Sequence, residues 1–91
     1  MTLVRLQLYT RRFCPYCDRA KAILASVGIT DYEEVPIDGN ENAMRQRLHE
    51  LTGGRWDVPQ AFVADTYVGD DDDLARLAQD GELLKMVEAS A

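Results

Sequence analysis

The sequence has little of what marks several large classes of protein. It contains one histidine, one tryptophan and two cysteines, and its ten basic residues are outnumbered by sixteen acidic ones in a chain of 91 residues. No apolar run approaches the roughly 20 residues that a membrane-spanning helix needs. The first residues also lack the basic and apolar pattern of a secretory signal. We therefore expect a soluble cytoplasmic protein without a membrane partner.

The same shortages limit the ligands that the chain could bind. A tetrahedral zinc site needs four nitrogen or sulfur ligands, whereas the chain offers Cys14, Cys17 and, far along the sequence, His49. We expect no metal, and we expect His49 to be an exposed surface residue. The net charge of −6 also argues against a nucleic-acid partner, because binding to phosphates requires clustered lysine and arginine.

What remains is typical of one compact domain, which we predict to span residues 1–91. Hydrophobic residues make up 46% of the chain and charged residues 29%, proportions that suit a small core with a charged surface. Five of the ten basic residues precede residue 28, where Asp18 is the sole acidic residue. Both cysteines lie within this basic part.

Periodicity and turn signals predict the order βαβαββα. Residues 3–9 alternate, with Val4, Leu6 and Leu8 on one face, and a helix follows from Pro15 to about Gly28. "YEEVP" predicts a second strand, and "GNENAMRQRLHELTGG" predicts a helix with Asn40 as its cap and with Met44, Leu48 and Leu51 on one apolar stripe. "QAFVA" and "TYVG" predict a hairpin, and the remainder predicts one final helix. Parallel strands joined by a helix, extended by a hairpin, give a four-stranded mixed sheet with helices on both faces.

The two cysteines stand three residues apart at the start of the first predicted helix. Backbone N–H groups and the helix dipole at that position favour the thiolate form of Cys14. Cys17 follows one turn later, and we expect it to be less exposed. In a reducing compartment such a pair is more often redox-active or metal-binding than a permanent bridge.

Four stretches together carry a family resemblance. "YTRRFCPYC", "VPIDGN", "VPQAFV" and "VGDDDDL", in this order, resemble a dithiol glutaredoxin of the thioredoxin superfamily. The resemblance implies a thioredoxin-like fold and a monomeric, glutathione-dependent oxidoreductase that reduces protein disulfides and glutathione mixed disulfides. It makes Cys14 the nucleophile and Cys17 the resolving thiol. Its partners would be glutathione and proteins that carry disulfides or bound glutathione.

The resemblance also implies a glutathione groove and identifies its residues. These are Arg11, Tyr16, Val58 and Pro59 joined by a cis bond, and Asp72 and Asp73 at the γ-glutamyl end. The chain departs from the family pattern at Asp57, where threonine is usual, and at Asp70, where a second glycine is usual. We interpret Asp70 and Asp71 as a solvated run that caps the last helix.

Two other functions are compatible with parts of this pattern. Some glutaredoxin-like proteins hold an iron–sulfur cluster between two subunits, and others are electron donors that thioredoxin reductase reduces. The Cys-Pro-Tyr-Cys motif resembles the redox-active members more than the cluster carriers. The partly preserved γ-glutamyl site favours glutathione as the reductant.

Overall fold

The computed structural model describes residues 5–90, which form four strands and four helices. In chain order these are β1 Leu6–Thr10, α1 Pro15–Ser26, β2 Glu33–Pro36, α2 Glu41–Thr52, β3 Gln60–Val63, β4 Thr66–Gly69, α3 Asp71–Gln79 and α4 Glu82–Ser90. The four-stranded mixed sheet is therefore confirmed. Val4, which was expected in the first strand, lies outside the described residues. Among the described residues, no helix has the length and apolar character needed to cross a bilayer.

The strands lie in the order β2-β1-β3-β4. β1 pairs parallel with β2 and antiparallel with β3, which pairs antiparallel with β4. The β3–β4 hairpin turns through two residues with positive φ, Ala64 at 50° and Asp65 at 67°. Such a turn matches the right-handed twist of the strands that it joins. Because β1 lies inside the sheet, the loop that leaves its end is held between β2 and β3.

Side chains alternate along the two central strands and fill two hydrophobic clusters. On one face, residues of β1 and β3 pack with buried residues of α1, α3 and α4: Leu6, Leu8, Ala20, Leu24, Ala61, Val63, Leu74, Leu83 and Val87. On the other, Tyr9 and Phe62 pack with Leu48 of α2, and the same cluster includes both cysteines and Val58. Helices therefore cover both faces, as predicted.

The predicted order of elements is wrong for the C-terminal segment. Residues 71–90 form two helices and not one, because α3 ends at Gln79 and Gly81 adopts φ 78°. A left-handed residue ends a helix, and glycine adopts that conformation without steric cost. α4 then buries Leu83 and Val87, four residues apart, against the sheet. The observed order is βαβαββαα.

Two smaller expectations also differ. α2 begins after Asn40 as predicted, but the Asn40 side chain makes no capping hydrogen bond. Leu51, which was assigned to the inward stripe of α2, is 45% exposed, whereas Leu48 is fully buried. Gly53 ends the helix in the left-handed conformation at φ 77°, as its position predicts.

Candidate functional site

Cys14 is the N-cap of α1, and its position follows from the residues on either side. Pro15 occupies the first helical position, where its fixed φ fits and its missing N–H is not needed. The Cys14 sulfur accepts a hydrogen bond from the backbone N–H of Cys17, 3.2 Å away. The sulfur therefore occupies the place that a serine or aspartate oxygen takes in an ordinary helix cap. A negative charge on it would be stabilised by the first turn of α1.

Cys17 lies one turn further along α1, on the side that faces Cys14. The two sulfur atoms are joined as a disulfide, with the Cα atoms 5.2 Å apart. Cys14 is 4% exposed and Cys17 is 1% exposed, so the expected order of exposure is confirmed by a small margin. The pair can therefore pass between dithiol and disulfide within one helical turn.

The loop before Cys14 carries two exposed cations and an exposed aromatic ring. Phe13 adopts φ 52° and is 94% exposed, a conformation that is rare for a bulky residue. The backbone N–H of Arg12 donates to the Asp38 carboxylate at 3.1 Å and 3.2 Å. Among the described residues, neither the Arg11 nor the Arg12 guanidinium forms an ion pair. The loop is thus fixed through its backbone, and its side chains project into solvent.

A groove of about 290 Å³ lies on the other side of the dithiol. Its lining residues are Tyr16, Asp57, Val58, Asp70, Asp71 and Asp72. The structure thus brings together Tyr16, Val58 and Asp72 from the predicted set. The Val58–Pro59 bond is cis, as the resemblance implied. Val58 is in the same hydrophobic cluster as both cysteines, so one residue of the groove lining belongs to the cluster that holds the dithiol.

Three predicted residues lie outside this groove. Pro59 is fully buried. Arg11 lines a different depression of about 560 Å³, together with Arg12, Phe13 and the β1–β2 edge. The Asp73 carboxylate accepts hydrogen bonds from the Asp70 backbone N–H at 3.1 Å and from Arg76 at 3.0 Å. Asp73 therefore serves first to fix the start of α3.

Asp70 and Asp73 form a capping box, because the Asp70 side chain also accepts a hydrogen bond from the Asp73 backbone N–H at 3.1 Å. Gly69 is required beside this box: a Cβ atom there would collide with the Asp73 side chain, and φ is 135°. Gly69, the glycine that this chain shares with the family pattern, is thus required for a steric reason. The capping role expected for Asp70 is confirmed.

The expectation that Asp70 and Asp71 are solvated is wrong. Asp71 is only 6% exposed and accepts a 2.6 Å hydrogen bond from Arg19 of α1. The same Arg19 nitrogen lies 2.6 Å from Asp72. The hydrogen bonds that Arg19 donates to Asp72 and Asp71 raise the Arg19 pKa above its ordinary value. The acidic run is therefore tied to the dithiol helix.

Asp70 is held by a second arginine that sequence reasoning did not single out. Arg55 donates to both Asp57 oxygens, at 3.0 Å and 2.8 Å, and to Asp70 at 3.0 Å. Hydrogen bonding by Arg55 lowers the Asp57 pKa. Burial alone would raise the Asp70 pKa, but hydrogen bonds from Arg55 and Asp73 outweigh it, and the pKa lies below its ordinary value. The two departures from the family pattern thus share one cation.

His49 is half-buried rather than fully exposed. Its ring stacks on Trp56 with the centroids 4.1 Å apart. Within residues 5–90, no three histidine, cysteine, aspartate or glutamate side chains are grouped so that they could hold a metal ion.

Comparison with known proteins adds to this geometry. The sequence model of the glutaredoxin family matches residues 6–68, which contain the dithiol and the cis-proline. Glutaredoxin 3 of Escherichia coli K12 is 42% identical over 81 residues, which are 89% of this chain and 94% of that protein. The chain belongs to the glutaredoxin family. It is accordingly a thiol–disulfide oxidoreductase whose reactive pair is Cys14 and Cys17.

Solved glutaredoxin structures share its architecture. Oxidised glutaredoxin 2 from Chlamydomonas reinhardtii superposes with a TM-score of 0.84 at 32% identity, over 94% of this chain and 81% of that one. A buckwheat glutaredoxin–glutathione complex also gives 0.84, at 25% identity, over 94% of this chain and 78% of that one. The thioredoxin-like fold of the glutaredoxins is thereby confirmed.

Proposed function

We propose that this glutaredoxin uses glutathione to reduce protein disulfides and glutathione mixed disulfides through Cys14 and Cys17. The observation that carries the proposal is the Cys14 sulfur at the N-cap of α1, where it accepts the Cys17 N–H at 3.2 Å. That hydrogen bond favours the thiolate once the disulfide is reduced. Cys17 on the next turn is within reach to complete the exchange.

The reaction requires two exchange steps in the protein disulfide route. The Cys14 thiolate attacks one sulfur of the substrate disulfide, an S–S bond forms between them, and the second substrate sulfur leaves as a thiolate that takes up a proton. Cys17 then loses its proton and attacks the Cys14 sulfur, which forms the intramolecular disulfide and releases the first substrate sulfur as a thiolate. Two glutathione molecules restore the dithiol and leave as glutathione disulfide.

We propose that glutathione lies in the groove between Tyr16 and the start of α3. Its cysteine sulfur would then face Cys14, and the backbone of Val58, beside cis-Pro59, would pair with the extended peptide. Asp72, which is exposed at the groove, would attract the γ-glutamyl ammonium. The buckwheat glutaredoxin–glutathione complex supports this placement by analogy of fold.

Arg11 and Asp73 complete the proposed set at a greater distance. Arg11 would approach the glycine carboxylate from the loop before Cys14, and its side chain is exposed for that purpose. Asp73 would act by fixing the turn that presents Asp72, because both of its oxygens accept hydrogen bonds within the protein. We also propose that the protein works as a monomer in the cytoplasm, where its small number of cysteines suits a reducing environment.

The test replaces each cysteine with serine. Cys14→Ser should lose all exchange, whereas Cys17→Ser should keep the reduction of a glutathionylated peptide and lose most reduction of a protein disulfide by the dithiol route. Turnover is measured by NADPH oxidation with glutathione and glutathione reductase, and separately with thioredoxin reductase. Turnover with thioredoxin reductase but not with glutathione would show that glutathione is not the reductant. Equal and complete loss in both variants would contradict the division of roles.

A further inference from the structure

Two segments that are separate in the chain line the groove near the dithiol. Asp57 and Val58 lie just before β3, and Asp70 to Asp72 lie at the start of α3. The β3–β4 hairpin intervenes between them in the chain. Neither segment is part of a strand where it lines the groove. Side-chain contacts between the two segments therefore bear on the shape of the groove.

Arg55 makes such a contact. Its Nε and Nη2 atoms donate to the two oxygens of Asp57 at 3.0 Å and 2.8 Å, and Nη2 also donates to Asp70 at 3.0 Å. The planar guanidinium suits this arrangement, because it offers several donors in a fixed geometry that an ammonium group lacks. One side chain thus joins both segments that line the groove.

Each end of this connection is itself anchored. The Arg55 backbone N–H donates to the Thr52 hydroxyl at 2.8 Å, at the end of α2. Asp70 caps α3, where its carboxylate accepts the Asp73 N–H. Asp57 also lies 3.3 Å from the Gln60 side-chain amide in β3. The cluster of Arg55, Asp57 and Asp70 therefore connects the end of α2, the start of α3 and β3.

The negative charges of Asp57 and Asp70 repel each other, and Arg55 offsets this repulsion. Both have pKa values below their ordinary values, so both are charged at neutral pH. Asp71 and Asp72 add charge on the same side, and Arg19 compensates them separately. Without Arg55, Asp57 and Asp70 would be neighbouring like charges with no shared cation, and they would repel one another.

We propose that Arg55 is a positioning residue that, by holding Asp57 and Asp70 together, fixes the two groove-lining segments in the arrangement in which the glutathione moiety of the substrate binds. The inference rests on the proposed function, because it concerns the same groove. It makes Arg55 a determinant of substrate binding and leaves the sulfur chemistry at Cys14 unaffected. The three side chains act as one unit, so that a change in one alters the effect of the others.

The test compares Arg55→Gln with the triple variant Arg55→Gln/Asp57→Asn/Asp70→Asn. Asparagine keeps the cap of α3 while it removes the charge. With a glutathionylated peptide as substrate, we expect Arg55→Gln to raise KM about fivefold or more with kcat changed by less than about twofold. The triple variant should return KM to within about twofold of the wild-type value, since the repulsion is gone. The KM of Arg55→Lys should lie between the values for Arg55→Gln and for the triple variant.

Ionic strength separates this role from a purely structural one. The KM defect of Arg55→Gln should shrink between about 0.05 M and 0.5 M salt, because salt screens exposed charges. Arg5→Gln is the matched control: it breaks another arginine–aspartate pair, with Asp65 in the β3–β4 turn, away from the groove lining. It should leave KM and its salt dependence unchanged.

Distinct outcomes would overturn the inference. An unchanged KM in Arg55→Gln would remove any role of the cluster, and a triple variant as defective as Arg55→Gln would mean that Arg55 binds the substrate itself. If the wild type fails to use glutathione at all, the proposed function fails. The cluster itself is tested by NMR titration of the carboxyl groups. Asp57 and Asp70 should titrate at higher pH in Arg55→Gln than in the wild type, with Asp73 and Tyr67 as neighbouring titratable groups. An unchanged titration would contradict the proposal.

Discussion

Two exposed aromatic residues flank Cys14 but line different depressions. Tyr16 is 66% exposed and lines the groove with Asp72, whereas Phe13 is 94% exposed and lines the depression with Arg11. Both rings offer similar apolar area, so exposure alone does not distinguish their roles. Their positions do, because a substrate in the groove would cover Tyr16 and leave Phe13 in solvent.

We expect Tyr16→Ala to raise KM for a glutathionylated peptide about fivefold, which corresponds to the loss of about 1 kcal/mol of ring contact. Phe13→Ala is the matched control and should change KM by less than about twofold. Both constants come from steady-state turnover with glutathione and glutathione reductase. An equal effect of the two substitutions would show that the Phe13 ring also contacts the bound substrate.

At this scale the sequence predicted the reactive residues better than their charged neighbours. The spacing of Cys14 and Cys17 and the position of Pro15 depend on one helical turn, which local sequence determines. The burial of Asp71 depends on Arg19, 52 residues earlier, and no local pattern reveals such a partner. The departures at Asp57 and Asp70 were visible, but the cation that joins them was not.

At the scale of elements, the first turn of α3 is attached to α1 by the Arg19 ion pairs. Asp71 is buried at this contact, and Arg19 is about half exposed. Breaking a buried pair is costly mainly because it leaves a buried charge without compensation. The carboxylate of Asp71 would be that charge. The pair therefore fixes the acidic side of the groove relative to the dithiol helix.

We expect Arg19→Gln to lower the urea midpoint of unfolding several times more than Arg76→Gln, whose partner Asp73 is more exposed and is a neighbour within α3. Asp71→Asn should be milder than Arg19→Gln, because the arginine that remains can be solvated. The oxidised forms are compared by circular dichroism. Equal midpoints for Arg19→Gln and Arg76→Gln would mean that the α1–α3 ion pair adds nothing to stability.

The elements themselves were largely predictable, and the main error has a local cause. Alternation in β1 and β3 and the apolar spacing in α1 follow from burial on one face, so the sheet and its covering helices were predicted. The break between α3 and α4 was missed because its signal is one residue, Gly81, within an otherwise helical stretch. The prediction that Leu51 faces inward was wrong because α2 buries little beyond Leu48.

Across the whole molecule, several carboxyl groups have pKa values lower than in an unfolded chain. Hydrogen bonding by the Thr10 hydroxyl, supported by Lys21, lowers the Glu34 pKa despite partial burial. Hydrogen bonds from Arg55 lower the pKa values of Asp57 and Asp70. In each case the unfolded state binds protons more readily than the folded state as the pH falls.

The folded state should therefore lose stability on acidification. The stabilisation is fully present above the unfolded pKa values, about 3.9 for aspartate and 4.3 for glutamate, and is lost as the pH falls through the lower folded values. The free energy of unfolding in urea, measured from pH 6 to pH 2.5, should decline below about pH 4. Asp57→Asn/Asp70→Asn should decline less steeply. A flat profile in the wild type would contradict the assignment.

The Arg55, Asp57 and Asp70 cluster also restricts the order in which these residues can be acquired in evolution. An arginine at position 55 is tolerable by itself, because water solvates its charge. Two aspartates without it would be neighbouring like charges that repel each other. Descent through single substitutions therefore favours the arginine first, and its later loss is disfavoured once both aspartates are present. The three positions would be inherited together, so that a relative with aspartate at both places should retain arginine at the third.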